Sequence, residues 1–152
     1  MKWYILRWKR TFDFSGRSRR SEYWMSFLFD IIFIVALVIV DMVLNLGTIL
    51  PSIYSIVIFL PNLSCTIRRI HDIGKSGFYY LLQVPFIILS KLEDFNIIPI
   101  DRNTDSPIYM LAFFVFGALS LVIFVFTFIN GEVGDNKYGK DPKELDLVDT
   151  LI

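Results

Sequence analysis

One cysteine, Cys65, and one histidine, His71, are all the chain has of either residue. A lone thiol excludes an internal disulfide and leaves the redox compartment unspecified. One of each also falls well short of the ligand set of a structural zinc site. Phosphate-binding loops are missing: Gly74-Lys75-Ser76 ends like one, but Arg69 stands where its earlier glycine is needed. Net charge is missing too, because fifteen Lys and Arg balance fifteen Asp and Glu. That removes the basic field expected of a nucleic-acid binder. No cleavable leader is visible, since the first apolar run begins only after residue 22 and has no small-residue cleavage site, so the first hydrophobic helix is expected to stay in place. What the chain has in excess is apolar surface. With 55% hydrophobic and 16% aromatic residues in a chain of 152, it carries more than a soluble core of that size encloses, and lipid becomes the expected solvent.

The spacing predicts an all-α, polytopic membrane bundle in a single domain. Residues 2–12 read as an amphipathic interfacial helix: Tyr4, Ile5, Trp8 and Phe12 share one face, expected toward lipid, with Lys2 and Lys9 expected on the watery side. Asp13-Phe14-Ser15-Gly16 interrupts it with turn formers, and Ser18 is the expected cap of the next helix. Membrane segments are expected over 23–44, 49–65, 77–90 and 107–130, followed by a tail over 131–152. In the second, Pro51 is tolerated in the first turn and Pro61 is expected to kink the far end. The third is short and carries Gln83 and Pro85 at its middle. It reads as a kinked or thinned span, with a re-entrant segment as the alternative. The fourth has no charge at all.

Charge position sets the expected topology. With four spans, the N-terminal arm, the connection through Arg68 to Lys75 and the tail share one side and hold 13 of the 15 bases, leaving Lys91 and Arg102 on the other. The positive-inside rule then puts both termini in the cytoplasm.

Three blocks carry a resemblance. Phe12-Asp13-Phe14-Ser15-Gly16-Arg17-Ser18-Arg19-Arg20-Ser21-Glu22-Tyr23-Trp24, then Arg68-Arg69-Ile70-His71-Asp72-Ile73-Gly74-Lys75-Ser76-Gly77, then Asn136-Lys137-Tyr138-Gly139-Lys140-Asp141-Pro142 resemble the bacterial inner-membrane proteins called domain of unknown function 805. The order is the family's, and the blocks cover nearly the whole chain. Departures are mild: Phe78-Tyr79-Tyr80 replaces a frequent Trp pair, and Gly131-Glu132-Val133-Gly134 replaces a Pro-rich entry. The resemblance implies a small polytopic protein of the cytoplasmic membrane and brings no activity with it.

Two constellations are candidates for function. Asp13, Arg17, Arg19, Arg20, Arg68, Arg69, His71 and Asp72 all fall at the cytoplasmic boundary. Such a set suits anionic phospholipid headgroups or a protein partner, and alternatively topogenic charge knit by salt bridges. The geometric expectation is that Asp13 or Asp72 touches an arginine of the opposite segment. Asp30 and Asp41, eleven residues apart, differ by only about 20° in direction and lie about 16 Å apart on one stripe of the first span. They suit an ion or proton path. Otherwise Asp41 is hydrated near the outer interface and Asp30 pairs with an arginine of the cluster. The leading expectation is a non-enzymatic scaffold or accessory subunit with no cofactor and no metal. Its partners would be membrane lipids, a second copy or another membrane protein. The alternative is a small oligomeric transporter or channel using Asp30 and Asp41. Catalysis by His71 and Asp72 is disfavoured, because adjacent helical residues point in different directions.

Overall fold

The computed structural model describes residues 1–94 and 107–144. Its helices are α1 (Lys2–Lys9), α2 (Arg20–Leu44), α3 (Ile49–Val57), α4 (Phe59–Asp72), α5 (Phe78–Leu81), α6 (Val84–Asp94) and α7 (Pro107–Phe128). Among the described residues there are no strands, and the only bridge is the tail turn joining Asn136 and Gly139. The all-α expectation stands.

α2 is long and apolar enough to cross a membrane. Its apolar side chains, Phe27, Leu28, Ile31, Ile32, Val35, Ile39 and Val43 among them, are exposed. The buried positions on it are Glu22, Ser26, Asp30 and Asp41. This inversion, greasy outside and polar inside, fits a helix solvated by lipid and packed through its polar stripe. Residues 49–72 qualify as a second crossing only if α3 and α4, bent by 45°, are one broken span.

Several boundaries differ from the sequence reading. The first span starts three residues early, at Arg20, and α4 continues to Asp72. The kink expected at Pro61 falls at Ile58. Pro61 lacks an N–H and its ring would strike the carbonyl four residues back, on Val57, so the helix breaks before the proline and restarts with Pro61 in its first turn. The third segment is not one helix: α5 ends at Leu81 and α6 begins at Val84, with the buried Gln83 between them donating to Ser120 of α7 at 2.7 Å. α6 runs to Asp94, and the rest of the expected 91–106 loop lies outside the described residues, as does the tail beyond 144.

The N-terminal helix also turns differently. Tyr4, expected in lipid, packs inward on Phe29 and Phe33 of α2, with ring centroids at 5.4 and 5.8 Å. Its hydroxyl meets that of Tyr54 at 3.2 Å. Lys2 and Lys9 share the exposed face with Met1 and Ile5 instead of opposing it.

Candidate functional site: a buried arginine clamp

α4 is the axis of the site. From Leu63 to Ile70 every side chain is buried, Arg68 and Arg69 completely. Buried guanidinium groups are tolerable only when their donors are occupied and a carboxylate is near. Arg68 donates to Ser18 Oγ at 2.9 Å, to the carbonyls of Arg10 at 2.9 Å and Asp13 at 2.5 Å, and to Glu22 at 3.1 Å. It thereby binds the loop after α1 to the first turn of α2. Arg69, one position on, points about 100° further round the helix. It donates to the carbonyls of Thr127 at 3.3 Å and Ser18 at 3.2 Å, to the carbonyl of Ile129, and to the Asp72 carboxylate one turn along.

Thr127 and Ile129 flank the C-terminus of α7, whose last carbonyls have no partner within the helix. Arg20 reaches the Phe128 carbonyl at 3.2 Å, and the Trp24 indole N–H donates to Thr127 at 3.3 Å. Cationic donors converge there on the negative end of the helix dipole.

Arg17 completes the clamp. Its Nε donates to Asp72 at 2.9 Å, and its two terminal nitrogens donate at 2.5 Å to the carbonyls of Gly134 and Glu132 in the tail. Asp72 therefore lies between Arg17 and Arg69, as expected of a carboxylate touching the opposite segment. Its own carbonyl accepts from the Glu132 N–H at 2.8 Å. The approach is so close that a Cβ on Gly131 would come within 3.0 Å of three Asp72 carboxyl atoms. Gly16, at φ +76°, makes the turn that swings Arg17 inward.

The other candidates are placed around this core. The Asp13 side chain pairs with Arg10 at 3.0 Å and caps its own turn through Ser15, not through the opposite arginines. Burial works to raise its carboxyl, but the Ser15 and Arg10 donors and the Arg10 charge outweigh that and hold it below the usual range. Arg19 sits over the Trp3 ring at 4.8 Å. The His71 ring stacks on Tyr138 with centroids 3.9 Å apart, and its Nδ1 donates to the Gly16 carbonyl at 3.2 Å. His71 and Asp72 serve separate contacts. In the tail, buried Asp141 accepts from Gly134 and Lys143 N–H groups at 3.1 and 2.9 Å. Burial alone would raise its pKa; those donors and the Arg17 and Lys143 charges lower it.

Asp30 and Asp41 do face one side, toward α3, with α1 also against Asp30, but each is engaged. Asp30 is gripped by both terminal nitrogens of Arg7, at 2.5 and 2.7 Å, and accepts from the Tyr54 hydroxyl at 3.1 Å. Its counter-charge comes from α1, not from the expected cluster. Asp41 is buried rather than hydrated: its two oxygens accept the N–H groups of Thr48 at 2.6 Å and Leu50 at 2.9 Å, capping α3. Ser18 does not cap α2, since its hydroxyl serves Arg68. Arg7, Ser18 and Glu22 were missed as site residues. A usable signal existed for Arg7, which lies one turn from Tyr4 on the inner face of α1 and supplies the charge that Asp30 needs.

The family model described as "Protein of unknown function (DUF805)" matches residues 11–140. Inner membrane protein YhaI of Escherichia coli strain K12 is 34% identical over 145 residues, covering 94% of this chain and 97% of that one. Inner membrane protein YhaH of the same strain is 33% identical over 149 residues, covering 94% and 98%. No solved structure matches. The matched range takes in every arginine of the clamp and the tail segment they hold, and the chain belongs to the DUF805 family.

Proposed function

We propose that this protein is a non-enzymatic scaffold or accessory subunit of the cytoplasmic membrane, with four membrane segments and both termini in the cytoplasm. The inner-membrane relatives and the lipid-suited surface of α2 support the location. The 13 bases on one side support the orientation. The uncharged 22-residue α7 supports a last span.

One observation carries the scaffold reading: the arginines that invite a ligand are already occupied by the protein itself. Arg17, Arg68 and Arg69 join the N-terminal loop, α2, α4, the end of α7 and the tail into one rigid cytoplasmic face. A face fixed in that way is suited to hold a protein partner in register. The competing transporter reading uses Asp30 and Asp41. Arg7 and the α3 N–H groups that occupy them favour the scaffold.

The test compares the wild-type chain with Asp72→Asn and Asp30→Asn. Under the scaffold reading, proteins cross-linked to the cytoplasmic face in native membranes are lost in Asp72→Asn at equal abundance. Reconstituted liposomes carry no ion flux that depends on Asp30. A flux abolished by Asp30→Asn would establish the transporter instead.

A further inference from the structure

Among the described residues, α1 is covered on one side only. Arg7 faces Asp30 and Tyr4 faces Phe29 and Phe33, so the inner side belongs to the bundle. On the outer side Met1, Lys2, Ile5 and Lys9 are all exposed. At helical pitch these four occupy one arc of about 100°, opposite Arg7. Met1 is 82% exposed, Ile5 50%, and Phe12 in the turn that follows 81%. Three large apolar side chains in such positions are costly in water and favourable in lipid.

We propose that this face of α1 docks on the anionic headgroups of the leaflet it meets. Apolar and basic residues within one arc match a surface that is itself layered, acyl chain below and negative headgroup above. Trp3, which at the same pitch lies nearer to Arg7 than to the arc, has Lys2 Nζ 5.1 Å and Arg19 Cζ 4.8 Å from its ring. An indole holding cations is at home in the headgroup layer. The depth agrees. α1 crosses α2 beside Ser26, whose hydroxyl bonds the Trp3 carbonyl at 3.5 Å, and beside Asp30. These positions lie about 9 and 15 Å along the axis from Arg20, the first just past the headgroup–acyl boundary and the second well into the acyl layer when Arg20 sits among headgroups, so the lysines reach the headgroups by extending their stems. The buried arginines play no part, and the inference does not rest on the scaffold reading, because lipid selection by α1 and partner capture by the clamp have separate readouts.

The experiment uses the full chain with Phe12→Cys carrying a bimane label. Cys65 is buried and stays unlabelled. The protein is reconstituted in phosphatidylcholine liposomes containing a small fraction of doxyl-labelled phosphatidylglycerol or of equally labelled phosphatidylcholine. Quenching by the phosphatidylglycerol should exceed that by phosphatidylcholine by about fivefold per lysine, the weight of one basic side chain at an anionic surface. Lys2→Gln with Lys9→Gln should erase the difference while leaving quenching by phosphatidylcholine and the thermal stability unchanged. Equal quenching by both lipids with the lysines in place overturns the charge selection. No quenching by either puts the face in water, and quenching that falls as copies per liposome rise assigns it to a second copy. Both outcomes overturn the proposal.

Discussion

Replacing Asp72 by Asn keeps the shape of the side chain and removes a carboxylate that Arg17 and Arg69 both touch. Both guanidiniums are nearly inaccessible, at 3% and 0% exposure, so neither can recover its counter-charge from water. Breaking a buried pair by removing one partner costs about 3–5 kcal/mol, mostly from the charge left behind. At about 2–4 °C per kcal/mol for chains of this size, the melting temperature should fall by about 6–20 °C. Arg17→Gln should cost less, because Asp72 keeps Arg69. The double variant should then fall short of the sum of the singles by about 0.5–3 kcal/mol. The assay is heat survival of purified protein, read as the fraction remaining monodisperse on fluorescence-detected size exclusion. A shift under about 2 °C for Asp72→Asn, with an additive double variant, would mean that water reaches the clamp and that the burial argument fails.

Other outcomes follow from single contacts. Asp41→Ala removes both acceptors at the start of α3 and should cost about 1–2 kcal/mol in the same heat assay, whereas an unchanged melting point would return Asp41 to the pool of free intramembrane acids. Thr48 has φ +75°, a left-handed conformation costly for a β-branched residue, so Thr48→Gly should raise stability by up to about 1 kcal/mol; a loss would show that the threonine side chain matters more than its backbone. Asp141 has its pKa lowered from the ordinary 3.8, so its contribution is present above pH 4 and disappears as pH falls through the lowered value. Asp141→Asn should therefore flatten the acid limb of the stability curve, and an identical limb would remove Asp141 from it. Arg69→Lys keeps the charge but cannot reach Asp72 and the carbonyls of Ser18, Thr127 and Ile129 together, and should destabilise nearly as much as Arg69→Gln; rescue by Lys in a melting experiment would make the clamp a matter of charge alone.

The all-helical fold and the meeting of the two arginine segments were legible because both rest on local signals: apolar runs at helical length, and arginines repeated at the ends of those runs. The shared face of Asp30 and Asp41 was legible for the same reason, since helical pitch decides it. What each carboxylate does there was not, because the answer depends on chain far from it in sequence. The counter-charge of Asp30 is Arg7, and Asp41 is neutralised by the backbone of a helix whose start no periodicity places to the residue. The inward face of α1 was misread because Tyr4 and Trp8 suit a lipid interface as well as they suit a neighbouring helix. Only the position of Arg7 breaks that tie.

The arginine blocks look like a ligand site in sequence and are used as a joint in the structure, and membrane physics accounts for the difference. Between helices surrounded by lipid, apolar burial gives no preference for one neighbour over another, so the ends of α4 and α7 and the tail need polar contacts to fix their arrangement. A guanidinium offers five donors in one rigid plane, enough to take several carbonyls and a carboxylate at once. Arg69 uses it to close the end of α7, and Arg17 to hold Glu132 and Gly134. With Ser18, Glu22 and Asp72 supplying the remaining acceptors, the first two sequence blocks meet in one buried contact, and the tail joins it through Glu132 and Gly134, just ahead of the third. A change in either of those blocks is then felt in the other, because each supplies donors or acceptors that the other leaves buried.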